Sequence, residues 1–289
     1  MKLLTKELLS QLEGLHIPSR QRIRSAMRGE KSSTRKGSSL EFSDYREYLP
    51  GDDIRSIDWN VYARTERLFL KLFLEEESKP VYLVVDSSDS MNFGEPTKFE
   101  YAIALACSLC YISLRHYDRP EILLMQDQGF QRVRFRSKNQ FFSLLTQLEK
   151  KKPSGQTHLS SALKRTALSG YPRGIYFILS DFYSYDGFEG LKFLAASGNE
   201  LHCLQLLSAE ELNPQFRGDL KLVDSETSEN SEVSISPLIV KKYLERLSGL
   251  QQKLRKTALH SFATFYPLST AVSLSSLLLK TLKNRGVLN

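Results

Sequence analysis

The chain has 289 residues, 41% of them hydrophobic and 25% charged, the balance of an ordinary globular protein with room for one α/β core and an appended segment. No apolar run approaches the ~20 residues a membrane helix requires. The opening Met1-Lys2-Leu3-Leu4-Thr5-Lys6-Glu7 lacks a signal-peptide core, so a cytoplasmic protein with no membrane span is expected. Three cysteines cannot close a disulfide framework, and the net charge of +7 is concentrated in Arg20, Arg22, Arg24, Arg28, Lys31, Arg35 and Lys36.

In chain order, Leu3, Leu4, Leu8, Leu12 and Leu15 recur at helical spacing, predicting an amphipathic helix over residues 1 to about 16. The Arg-, Ser- and Gly-rich stretch from Arg28 to Ser39 reads as a loop. Its basic charge suits a solvated surface, nucleic acid or an acidic protein partner; without interleaved aromatics, the first is preferred. Pro50-Gly51-Asp52 is a turn signal, and Arg67–Leu74 reads as a strand, conceivable as an antiparallel edge. From Val81 the elements alternate: strand 81–85, helix 98–116, strand 121–125, hairpin partner 131–135, helix 140–150, helix 159–168, strand 175–179, helix 187–196 and strand 201–207. Residues 219–236 form a loop or hairpin, followed by a helix over 237–260, a strand near 262–266 and a last helix over 272–284. Such alternation implies an α/β fold, a mainly parallel sheet with helices on both faces. Residues 1–77 form an N-terminal segment and 78–289 the α/β domain. Cys107 and Cys110 lie inside an apolar helical run; with no second half to complete a zinc or redox set, they read as core.

Val81-Tyr82-Leu83-Val84-Val85 reads as a strand buried on both faces. Asp86, Ser88 and Ser90 follow at its carboxyl end, where open α/β sheets place ligands. Spacing of two points these side chains to one side. A carboxylate and two hydroxyls make a hard, all-oxygen set suited to Mg²⁺ or Mn²⁺; the competing reading is a Ser/Asp-rich helix N-cap. Thr157 follows in a loop before a helix, and Tyr176-Phe177-Ile178-Leu179-Ser180-Asp181 is a second strand ending in a carboxylate. Together these parts resemble the metal-ion-dependent adhesion site of von Willebrand factor A domains. That resemblance implies a von Willebrand factor A-like (Rossmann-like) domain, with Ser88, Ser90 and Thr157 as direct ligands and Asp86 and Asp181 acting partly through water. Asp89, between the serines, departs from the pattern.

The stretch Leu40–Thr65 carries Y-R-x-Y-x-P-G-D-D-x-R-x-I-D-W. It resembles the signature of a large uncharacterised bacterial family that joins this segment to a von Willebrand A-like domain and whose genes accompany a MoxR-type AAA+ ATPase. The resemblance implies an adaptor between that ATPase and a client protein. Arg46, Asp52, Asp53, Arg55, Asp58 and Trp59 either brace the sheet or dock a partner, bracing being slightly preferred.

Phosphate-loop, dinucleotide, H-E-x-x-H and G-x-S-x-G motifs are absent, and the five histidines share no ligand spacing. Ser88 stands where a D-x-D phosphotransferase needs its second acid. A non-catalytic protein is expected, with a metal-dependent phosphoester hydrolase or a nucleic-acid-binding protein as alternatives.

Overall fold

The computed structural model describes residues 4–18, 41–74, 78–126, 129–135, 138–156, 158–183, 188–215, 218–223 and 230–289. Two compact units emerge: Met1–Gln21 together with Lys79–Asn289, and Arg22–Ser78. The first holds helix α1 (Lys6–Gln11), capped by the Thr5 hydroxyl. The basic stretch from Arg20 to Lys36 lies outside the described residues.

The second unit is built on two strands. β1 (Glu41–Glu47) pairs antiparallel with β2 (Phe69–Leu74), and the short helix α2 (Trp59–Thr65) lies between them in sequence. The β1 strand is not apparent from residue pattern, because its acids and base interrupt the apolar alternation. Gly51, at φ +106, makes the predicted turn, which closes with the Asp52 amide donating to the Leu49 carbonyl at 3.0 Å. The strand read at Arg67–Leu74 is therefore paired with the signature segment and is not the edge of the main sheet.

That sheet begins with β3 (Pro80–Val85) and continues through α3 (Lys98–Arg115), β4 (Arg119–Gln126), β5 (Gly129–Arg134), α4 (Lys138–Glu149) and α5 (Leu159–Leu168). Next come β6 (Ile175–Ser180), α6 (Glu189–Ala196), β7 (Glu200–Leu207) and the short α7 (Ala209–Leu212). A hairpin, β8 (Gly218–Val223) and β9 (Asn230–Ile235), precedes α8 (Pro237–His260), β10 (Thr264–Ser269) and α9 (Leu274–Ser276). The six strands run in the order β10-β7-β6-β3-β4-β5. All pairs are parallel except the last, where β5 supplies an antiparallel edge. This is the α/β class that the alternation of elements predicts.

The pleat explains the burial. Val81, Leu83 and Val85 enter one core, packed with α1, α3, α4 and the C-terminal leucines. Tyr82 and Val84 enter the other, beneath α5, α6 and α8. Side chains of successive strand residues point to opposite faces, so a strand covered on both sides must be apolar throughout. At ~1.5–3 kcal/mol for each large aliphatic chain removed from water, these two cores are the main stabilising term. Cys107 and Cys110 are both fully buried on α3. Burial pushes both thiols well above the ordinary range, so they serve as small hydrophobes.

Residues 1–77 do not form one segment. A six-residue helix is not stable alone, and α1 buries Leu8 and Leu9, with Leu12 beyond it, in the α3 core. The Tyr111 hydroxyl donates to Glu13 at 3.2 Å, and His116 Nε2 lies 2.9 Å from the Leu15 carbonyl oxygen. The predicted last helix is also altered: after α9 the backbone widens to a π-helical turn over Leu277–Leu282, burying Leu277, Leu278 and Leu282. His16 and Asn289 then exchange backbone hydrogen bonds of 3.2 and 3.0 Å.

Candidate functional site

Adjacent parallel strands β3 and β6 are each followed directly by an aspartate, which brings Asp86 and Asp181 to the same end of the sheet. Asp86 is 4% exposed. Its Oδ1 accepts the Ser88 amide at 3.0 Å and its Oδ2 the Ser180 hydroxyl at 2.6 Å. The Ser90 hydroxyl donates to Asp181 Oδ2 at 2.8 Å, and Ser88 Oγ lies 3.0 Å from Ser90 Oγ. Ser88, Ser90 and Asp181 thus form one hydrogen-bonded chain, tied to Asp86 through the Ser88 amide.

Alternate residues turn elsewhere. The Ser87 hydroxyl bonds the Met125 carbonyl on β4. Asp89 is directed to the neighbouring loop: its carboxylate accepts the Gly155 amide at 3.0 Å, and its own amide donates to the Gly155 carbonyl at 3.0 Å. Asp89 therefore anchors the loop that leads to Thr157. Thr157 itself lies outside the described residues.

The residue pattern does not disclose Lys98. This lysine is 1% exposed, and its ammonium donates to Asp181 Oδ2 at 2.8 Å and to Glu211 Oε1 at 2.7 Å. Burial opposes its charge, but the two carboxylates outweigh burial and hold it above the usual lysine range. Burial raises Glu211 above the usual carboxylate range, against the pull of Lys98. Asp86 is raised by burial first and by the charge of Asp181 second. The only sequence signal was local. Lys98 is the first residue of α3, where the helix dipole disfavours a cation, and such inconsistencies mark sites.

Glu211 reaches this cluster because Ser208 and Glu211 cap α7 reciprocally, and because Gly94 lets Ser208 approach. Gly94 has φ +92, and a Cβ there would stand 2.7 Å from that of Ser208. Gln205, fully buried on β7, donates to the Asp181 carbonyl at 3.0 Å and accepts from Gln251 of α8 at 3.1 Å.

The signature residues of the other unit form local pairs. Arg46 bonds Asp52 at 2.8 Å, and Asp52 also accepts the Leu49 amide at 2.8 Å. Arg55 grips Asp53 through Nε and Nη2 at 2.9–3.2 Å. Asp58 caps α2 through the amides of Asn60 and Val61 and accepts the Tyr45 hydroxyl at 3.0 Å. The acids and bases thus brace their own segment. Trp59 is 60% exposed and meets Tyr62 edge-on, so it is not the buried strut that bracing through tryptophan requires.

Among the described residues no group of three His, Cys, Asp or Glu side chains is arranged to ligate a metal. The oxygen set at the sheet end is of another kind, two carboxylates and two hydroxyls, and its chemistry fits a hard divalent ion. A cation there also relieves the repulsion by which Asp181 helps raise Asp86. Among the described residues no helix is long and apolar enough to cross a membrane.

Fold and site together define a doubly wound α/β protein with a buried hydroxyl–carboxylate cluster at the carboxyl ends of its central strands. The chain belongs to the family described as protein of unknown function DUF58, whose model matches residues 44–253. Similar proteins include uncharacterised proteins of Mycobacterium bovis and Mycobacterium tuberculosis, each 25% identical over 240 residues, 81% of this chain and 75% of theirs. Similar solved structures include the conserved hypothetical protein BatB from Bacteroides thetaiotaomicron. It is 15% identical with TM-score 0.45, over 72% of this chain and 98% of that one. The SpRpn10 VWA domain is 12% identical with TM-score 0.39, over 70% and 94%.

Proposed function

We propose that this protein is a non-catalytic interaction adaptor that holds Mg²⁺ or Mn²⁺ at Asp86, Ser88, Ser90, Thr157 and Asp181. The observation that carries the reading is the chain from Ser88 Oγ through Ser90 Oγ to Asp181 Oδ2, with Asp86 beside it. Residues far apart in sequence supply hard oxygens at one sheet end, and no histidine or thiol is among them. When bound, the ion supplies an open coordination position for a carboxylate, since Mg²⁺ prefers six oxygens and readily keeps waters. This chain's own residues contribute a rigid floor: every described oxygen of the set is already hydrogen-bonded, so little ordering is required on binding.

The family signature suggests a MoxR-type AAA+ ATPase as the partner, with the adaptor presenting a client protein to it. The exposed Trp59 and Tyr62 on α2 supply a second docking point, since such aromatics anchor interfaces. Calorimetry tests the site: Mg²⁺ or Mn²⁺ binding is lost in Asp86→Ala and strongly weakened in Thr157→Ala. Equal binding in all three proteins removes the assignment. Co-purification with the ATPase should fall with chelator and in Ser88→Ala combined with Ser90→Ala. Turnover of a phosphoester by purified protein with Mg²⁺ would favour a hydrolase instead.

A further inference from the structure

We propose that Lys98 is the resident counter-cation of the Asp86–Asp181 cluster: it holds the cluster together without a metal and weakens its affinity for a divalent ion. This rests on the metal reading above. Lys98 reaches the cluster from α3, an element that supplies none of the oxygens named for the ion. Its ammonium lies 2.8 Å from the same Asp181 Oδ2 that takes the Ser90 hydroxyl. An ion drawn to that oxygen meets a fixed positive charge within contact range, inside a cluster where Lys98 and Asp181 are 1% and 2% exposed. Water screens little there.

Charge gives the direction. Lys98 places one positive charge in contact with both Asp181 and Glu211. Without it the cluster would attract a divalent ion more strongly. Without the charge of Glu211 the cluster would attract the ion less, and Lys98 would lean wholly on Asp181. Lys98 therefore sets affinity, and Glu211, held by the α7 capping box, sets how strongly Lys98 competes. The Tyr183 ring lies 5.3 Å from the ammonium, a cation–π contact on a further side of the lysine.

The test uses opposite signs. Mg²⁺ and Mn²⁺ are titrated calorimetrically into the full chain as wild type, Lys98→Met and Glu211→Gln, and the same proteins are melted in chelator and in saturating Mn²⁺. Lys98→Met should bind about tenfold tighter or more, and Glu211→Gln several-fold weaker, as removal of a near like charge or a near opposite charge requires. In chelator Lys98→Met should melt below wild type, and Mn²⁺ should close the gap. A lysine that only packs the helix would weaken binding in both variants or change neither. Folded Lys98→Met that binds no tighter than wild type overturns this proposal while wild-type binding leaves the metal reading standing. Binding by Lys98→Met alone supports the counter-cation role, the ammonium standing in place of the metal, and overturns the metal reading for the wild-type chain. Silence in all three proteins sinks both. Where Lys98→Met does not fold, Glu211→Gln decides: unchanged affinity overturns the proposal.

Discussion

The two units use the same residue types to opposite ends. In the signature unit Arg55 and Asp53 pair with side chains 82% and 51% exposed, where water and salt already satisfy them. At the end of the main sheet Lys98, Asp181 and Glu211 pair at 1%, 2% and 12%. Exposed pairs shape a loop and little else. A buried ionic cluster is costly to desolvate and costlier to break, because removal of one partner strands the other. Burial, more than the presence of charge, marks where a protein has committed its polar groups to a task.

Breaking the buried cluster should give the largest effect. Asp181→Ala removes one acceptor of the Ser90 hydroxyl and one of the two carboxylates on Lys98, and in chelator should lower stability by about 3 kcal/mol in urea unfolding. Next is Gly94→Ala, where the new Cβ meets Ser208 at positive φ. A loss of ~1–3 kcal/mol is expected, with a matching fall in melting temperature. A smaller effect is expected in the other unit: Trp59→Ala should stay within ~0.5 kcal/mol of wild type, as an exposed side chain does, while co-purification of the partner is lost. A drop of several kcal/mol would restore the bracing role. The subtlest test concerns Asp52, held below its ordinary value of 3.8 first by the Arg46 side chain and then by the Leu49 amide. A depressed carboxylate contributes stability above its unfolded value, lost as pH falls through the lower folded value. Arg46→Gln should move the Asp52 midpoint, followed by carboxyl NMR, upward toward 3.8.

How much of this was legible follows from where the information lies. The strands at Val81 and Ile175 were readable because burial on both faces demands unbroken apolar residues, and their terminal aspartates stand out by contrast. Asp86, Ser88, Ser90 and Asp181 are found from those strand ends. Lys98, Glu211 and Gln205 were not, because their meeting depends on how α3, α7 and β7 are placed, which no local spacing encodes. β1 escaped notice because its partner β2 is some twenty residues on and its own alternation is interrupted by charge. The final helix was readable as a helix but not in its pitch: apolar residues at 277, 278, 279 and 282 suit an α-helix or a wider turn, and packing selected the latter.

The mutual backbone bonding of His16 and Asn289, with α1 leucines seated among those of the C-terminal turn, has a bearing on synthesis. Helix α1 is made before every strand of the main sheet, and the leucines of 277–282 that help to cover it are made after them all. Its own leucines therefore stay partly uncovered while the sheet is being made, and contacts of such high sequence separation form late and slowly.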